Sequence, residues 1–195
     1  LSTGLPPSIL RGGKTGELMA VYTPRSADEI QRLLDIAKTS QLSAENSYAE
    51  SVRLAQSANG QLQIMTEELR TTQTRLSVAK KAKNSSDVMV LTSEAKRQEA
   101  EKKYLVSLAN AMNADMASLD SQRAAAGAQV KALQIETDAA KKHNEIVAAN
   151  LEKESDSSSY AALLKQLFSA QMTAANRALD AASKQNAVAS RKLKQ

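Results

Sequence analysis

The chain has 195 residues, 24% of them charged, with a formal net charge of +5, no cysteine, no tryptophan, one phenylalanine and one histidine. The missing cysteines exclude disulfides, thiolate metal sites and cysteine nucleophiles, and a composition rich in Ala, Ser, Gln, Lys and Glu points to long helices side by side rather than a compact core. The positive charge invites a nucleic-acid reading, but acidic and basic residues alternate along most of the chain. Only Lys80, Lys81, Lys83 and the group Arg191, Lys192, Lys194 form basic patches, so nucleic acid is disfavoured as a partner.

Residues 1–25 read differently from the rest. Gly4, Pro6, Pro7, Gly12, Gly13 and Gly16 argue against helix, and Glu17 to Thr23 (ELMAVYT) suits a short strand or an extended segment laid on a neighbour. The expectation is an extended or irregular N-terminal leader, either flexible or ordered against another subunit through Leu18, Met19, Val21 and Tyr22. Gly13-Lys14-Thr15 matches the end of a phosphate loop, but Ser8 stands where the first glycine belongs and no strand precedes it, so nucleotide binding is rejected.

The first long helix is expected at about 27–83. Ser26 and Glu29 form a capping box at its start. Ile30, Leu34, Ala37, Gln41, Ala44, Tyr48, Ser51, Ala55, Ala58, Leu62, Met65, Leu69, Thr72, Leu76 and Ala79 then recur at spacings that alternate four and three. This average period of 3.5 is that of a coiled-coil seam. Asn84, Ser85, Ser86 and Asp87 supply turn and cap chemistry, and the same spacing resumes from Leu91 through Ala95, Leu105, Met112, Leu119, Val130, Leu133, Ala140, Asn144 and Val147 to Leu151 in a second helix at about 87–154. Each helix would be on the order of 85–100 Å long.

A reversal at residues 84–87 pairs Ile30 with Ala140, Ala37 with Leu133, Ser51 with Leu119, Ala58 with Met112 and Leu76 with Ala95. Mostly small faces large, as a closely approaching antiparallel pair requires. The seam is weak, because Gln41, Thr72, Gln98, Lys102, Arg123 and Asn144 fall on it. Ser155 to Ser159 is expected to break the helix, and Leu163, Leu164, Leu167, Phe168, Met172, Ala175, Leu179 and Ala182 give a third helix at about 160–193, folded back along the second.

The fold expected is therefore all-α: a long antiparallel coiled-coil helical hairpin with a third, shorter helix packed on its base and a two-helix arm over about 51–120. Apolar residues off the seam, namely Val52, Leu54, Ile64, Val106, Ile135 and Ile146, would be partly exposed in a monomer and suggest assembly of several copies.

No residue pattern calls for catalysis, a cofactor or a metal. His143 has no second histidine to share an ion and reads as a surface residue. Paired carboxylates such as Glu67 and Glu68 are helix neighbours that do not face each other. Gly60 and Gly127 read as flex points, as places of close backbone approach or as glycines the helix simply tolerates, and the sequon Asn84-Ser85-Ser86 is common by chance.

The segment Lys80 to Leu91 stands out. Lys80, Lys81 and Lys83 precede Val88, Met89, Val90 and Leu91, of which a hairpin buries about two. The function expected is a non-enzymatic structural or interaction protein, an oligomeric subunit of an extracellular, periplasmic, virion or filament assembly. Its partners would be copies of itself and other proteins. The alternative is a membrane-active protein engaging lipid through residues 80–91, although no apolar run of about eighteen residues is present to span a bilayer. The start at Leu1 without Met suggests a processed or trimmed form, and the location expected is exported, periplasmic or extracellular, or else virion-associated.

Overall fold

The computed structural model describes residues 5–12, 14–149 and 154–194. Most of these are helical, without a strand among them, in the order α1 (Pro7–Leu10), α2 (Thr15–Val21), α3 (Ala27–Lys81), α4 (Ser85–Ala149) and α5 (Glu154–Lys192). Readings that rest on Gly4, Gly13 and Leu151 lie outside the described residues. The chain divides into two units, one made of Leu1–Asn46 with Leu119–Gln195 and the other of Ser47–Ser118.

The leader is extended only in part: Pro7–Leu10 and Thr15–Val21 are helical, whereas residues 22–26 are not, and Tyr22 has the extended φ of −131° and ψ of 122°. Pro7 opens α1, where its fixed φ suits the first helical position and its missing N–H is not needed. Gly12, with φ of 66°, takes the left-handed conformation that follows α1. Leu18 and Tyr22 are four apart and share a face when the segment is helical, and both are buried. Ala20 between them is exposed, whereas a strand would turn residues 18, 20 and 22 to the same side, so the burial pattern fits the helix where the apolar run ELMAVYT is compatible with either.

Helix α3 starts as its cap predicts, with the Glu29 amide donating to Ser26 Oγ at 3.2 Å. Along α3 the buried residues Ile30, Leu34, Ala37, Ser51, Ala55, Ala58, Met65, Leu69, Thr72 and Ala79 keep to one face. On α4 the matching set is Leu91, Ala95, Gln98, Leu105, Ala109, Val130, Leu133 and Ala140. The two long helices pack against each other. In the first unit Leu34, Ala37, Val130 and Leu133 form one buried cluster. In the second, Asn59 Nδ2 donates to Asn113 Oδ1 at 3.2 Å.

The end of α4 departs from the expected seam. Asn144 and Val147 are exposed, because α3 begins at Ala27 and offers no residue opposite them. The helix turns a different face inward there. Ala139 and Ile146 join Ile9, Leu18, Tyr22, Tyr160, Ala161, Leu164 and Leu167 in the largest buried cluster, and Ile135 and Phe168 pack against it. Ile146, expected to be partly exposed, is therefore core.

Helix α5 also begins earlier than expected, at Glu154, so the serine-rich stretch is its first turns rather than a break. Ser and Asp are favoured at helix starts, and Ser157 is buried. Farther along, Lys184 Nζ donates to Ser121 Oγ of α4 at 2.8 Å.

Candidate functional site

The turn between α3 and α4 is built from backbone geometry first. The Asn84 amide donates to the Ala79 carbonyl at 3.1 Å and the Lys83 amide to the Lys80 carbonyl at 3.2 Å, the double closure of a Schellman motif. Lys83 occupies its left-handed position, with φ of 56°, where glycine is usual. Asn84 then caps α4, its Oδ1 accepting from the Asp87 amide at 3.2 Å and its Nδ2 donating to Asp87 Oδ2 at 2.7 Å.

Helical spacing sorts the four apolar residues that follow. Leu91 is buried and Val88, three residues away on the same face, is half-buried. Met89 and Val90 point elsewhere and are 69% and 60% exposed. Lys80, Lys81 and Lys83 are exposed beside them in the chain. The turn thus presents two large aliphatic side chains together with three ammonium groups, a combination suited to an anionic, partly apolar surface.

The leader residues have a different place. Leu18 and Tyr22 are buried, and Met19 and Val21 are partly buried against the same intrachain cluster. They pack on their own chain, and Lys165 Nζ of α5 donates to the Leu10 carbonyl at 3.4 Å.

That cluster contains the feature that sequence reading missed. The rings of Tyr22 and His143 lie 6.3 Å apart edge to face, those of His143 and Tyr160 are 6.1 Å apart, and Tyr22 meets Phe168 at 6.5 Å. His143 is half-buried in this aromatic group, with Nδ1 out of solvent. The hydroxyls of Tyr22 and Tyr160 are buried without a hydrogen-bond partner. Burial pushes the Tyr22 phenol up to about 12, with Glu136 adding to the rise and Arg25 opposing it. Burial likewise raises that of Tyr160, with Tyr22 adding to it. The signal available in sequence was the spacing of His143 from Ile146 and of Tyr160 from Leu164, one face each on two helices.

Beside this cluster, Arg25 grips Glu136 with both prongs. Nε donates to Oε1 at 2.9 Å and Nη2 to Oε2 at 2.5 Å. The glutamate side chain is only 5% exposed and the arginine 41%, and the hydrogen bond to Glu136 raises the arginine further above its usual range. The pair fixes the segment between α2 and α3 to α4. Both residues also line an open trough of about 580 Å³, together with Leu33 of α3, Ala125, Ala126 and Ala132 of α4 and Ala174 and Ala178 of α5.

Among the described residues no group of three or more His, Asp or Glu side chains is placed to hold a metal ion, and no helix is long and apolar enough to cross a membrane. No protein-family model, curated protein or solved structure matches this chain.

Proposed function

We propose that this chain is a non-enzymatic structural and interaction protein, an antiparallel coiled-coil hairpin of α3 and α4 with α5 packed alongside, that works as a self-assembling subunit. The observation that carries this reading is the set of large aliphatic side chains left in solvent on all three long helices, among them Ile36, Leu42, Leu54, Ile64, Met172 and Leu179. Singly such residues are ordinary on a protein surface; repeated along the sides of three long helices they offer apolar area to a second copy or a partner helix. The coiled-coil part rests on the alternation of four and three along α3, whose positions from Ile30 to Ala79 are all buried or half-buried, and on the joint burial of Ala37 and Leu133. Light scattering coupled to size exclusion tests assembly: a multiple of the chain mass is expected, and a monomer throughout a concentration series overturns the reading.

A second reading has its own observation. Exposed Met89 and Val90 beside Lys80, Lys81 and Lys83 suit contact with an anionic membrane surface. Co-sedimentation with anionic vesicles, lost in the Met89→Asp/Val90→Asp double variant, is the expected result. Equal recovery with neutral and anionic vesicles removes it.

A further inference from the structure

Helix α5 carries two apolar lines, and only one of them is covered. Tyr160, Leu164, Leu167 and Ala181 are buried toward the rest of their unit. One position on from this line, Phe168, Met172, Ala175, Leu179, Ala182, Asn186, Ala189 and Leu193 follow one another at spacings of four and three without interruption. Phe168 is half-buried, but Met172 is 42% exposed, Leu179 70% and Leu193 89%, and the three alanines are exposed between them. A heptad line of this kind is a coiled-coil seam without its partner.

We propose that the occupant of this seam is the same seam of a second copy, running antiparallel about a two-fold axis near Asp180 and Ala181. The side-chain sizes make the line self-complementary. Centred there, Leu179 faces Ala182 of the second copy, Met172 faces Ala189 and Ala175 faces Asn186, so that the larger side chain meets an alanine at each inner layer, and Phe168 meets Leu193 as an apolar pair at either end. A parallel pairing instead stacks Ala175, Ala182 and Ala189 on themselves and leaves three thin layers between bulky ones.

Charge agrees with size. The positions flanking the seam on one side are Ser169, Asn176, Ser183 and Ser190, and on the other Gln171, Ala178 and Gln185. None is charged, in a chain where 24% of residues are. Lys192, the one flanking cation, meets neutral Gln171 of the second copy. The charged groups of this stretch stand off the seam. Lys184 is engaged with Ser121 at 2.8 Å and with Asp180 at 3.2 Å. The antiparallel pairing therefore brings no like charges together, and an isologous contact of this type closes on itself as a dimer.

This inference rests on the self-assembly reading and narrows it to one surface. Its test uses the full chain, which has no native cysteine to interfere. Leu179→Asp is expected to lower the solution mass from twice the chain mass to the chain mass, with the helical circular dichroism unchanged because Leu179 is exposed. Met172→Cys and Ala189→Cys chains, oxidised after mixing, should form the mixed disulfide dimer in preference to either homodimer. If Leu179→Asp keeps the dimer, or the homodimers dominate, the seam proposal falls while self-assembly stands. If the unmodified chain is monomeric at every concentration, both fall.

Discussion

The two units of the chain are stabilised by different kinds of side chain. The unit of Leu1–Asn46 with Leu119–Gln195 has a core of large groups removed from solvent altogether, with Ile9, Leu18, Tyr160, Leu164 and Leu167 at 0% exposure. The unit of Ser47–Ser118 buries Ala55, Ala58, Ala95 and Ala109 with Ser51, Thr72 and Gln98, and its larger members, Met65, Leu69, Leu91 and Leu105, keep 7–8% exposure. At about 25 cal/mol per Å², an alanine contributes a fraction of what a leucine does. In the first unit, stability is concentrated in a few residues from α1, α2, α4 and α5. In the second it is spread thinly along two helices. Damage to single residues should therefore be severe in one and mild in the other.

Leu164→Ala gives the largest effect. It removes a wholly buried side chain from the main cluster and should cost about 3–4 kcal/mol, in the range of large-to-small core changes. Leu69→Ala, among small neighbours that can close on the gap, should cost less, about 2 kcal/mol. Hydrogen exchange reads both: protection should collapse in α1, α2 and the first half of α5 for Leu164→Ala and fall only moderately around residue 69 for the other. Equal losses would erase the contrast between the units.

High pH should weaken the same unit. Tyr22 is held neutral in the folded chain, with its pKa raised from 10.0 to about 12, chiefly by burial. The unfolded chain releases this proton first, so the stabilisation is fully present below pH 10 and is lost as pH rises toward 12, by about 2 kcal/mol for this group alone. Burial of Tyr160 acts in the same direction. Thermal melts followed at alkaline pH should show the loss, and Tyr22→Phe should reduce its steepness. A melt as steeply pH-dependent in Tyr22→Phe as in the native chain would contradict this assignment.

What the sequence disclosed and what it concealed divide along similar lines. Local rules worked where one residue acts on its neighbours: Ser26 caps α3, Asn84 caps α4, and Leu91 turns inward while Met89 and Val90 do not. The helical character and the packing of α3 on α4 follow from a period visible in one dimension. The two short helices of the leader are not legible locally, because they are held by residues more than a hundred positions away, such as Tyr160 and Ile146. His143 looked solitary for the same reason, its aromatic neighbours Tyr22 and Tyr160 lying on other elements. The seam at Asn144 and Val147 continues as a pattern in α4 after its partner has ended.

Arg25→Ala comes next in size. It strands the Glu136 carboxylate, which is nearly out of solvent, yet the arginine's own partial exposure gives water a way in. The cost should therefore lie at about 1–2 kcal/mol, below that of breaking a fully buried pair. The double variant Arg25→Ala/Glu136→Gln should recover part of it, because an amide is easier to leave without a counter-charge. Chemical denaturation of the three chains measures this, and a double variant less stable than Arg25→Ala would show that the carboxylate has other support.

The smallest effect sharpens the comparison from the other side. Gly60 lies inside α3 in the Ser47–Ser118 unit, and a Cβ placed there meets nothing within 4 Å. It is therefore not a point of close helix approach. Its absence of side chain only leaves the unfolded chain freer and the helix weaker, so Gly60→Ala should stabilise by about 0.5–1 kcal/mol. In a unit whose stability is spread over many small contributions, that gain should raise amide protection along several turns on either side of residue 60. A destabilised Gly60→Ala chain would mean that a neighbour approaches the helix at this position and that the backbone there is covered rather than free.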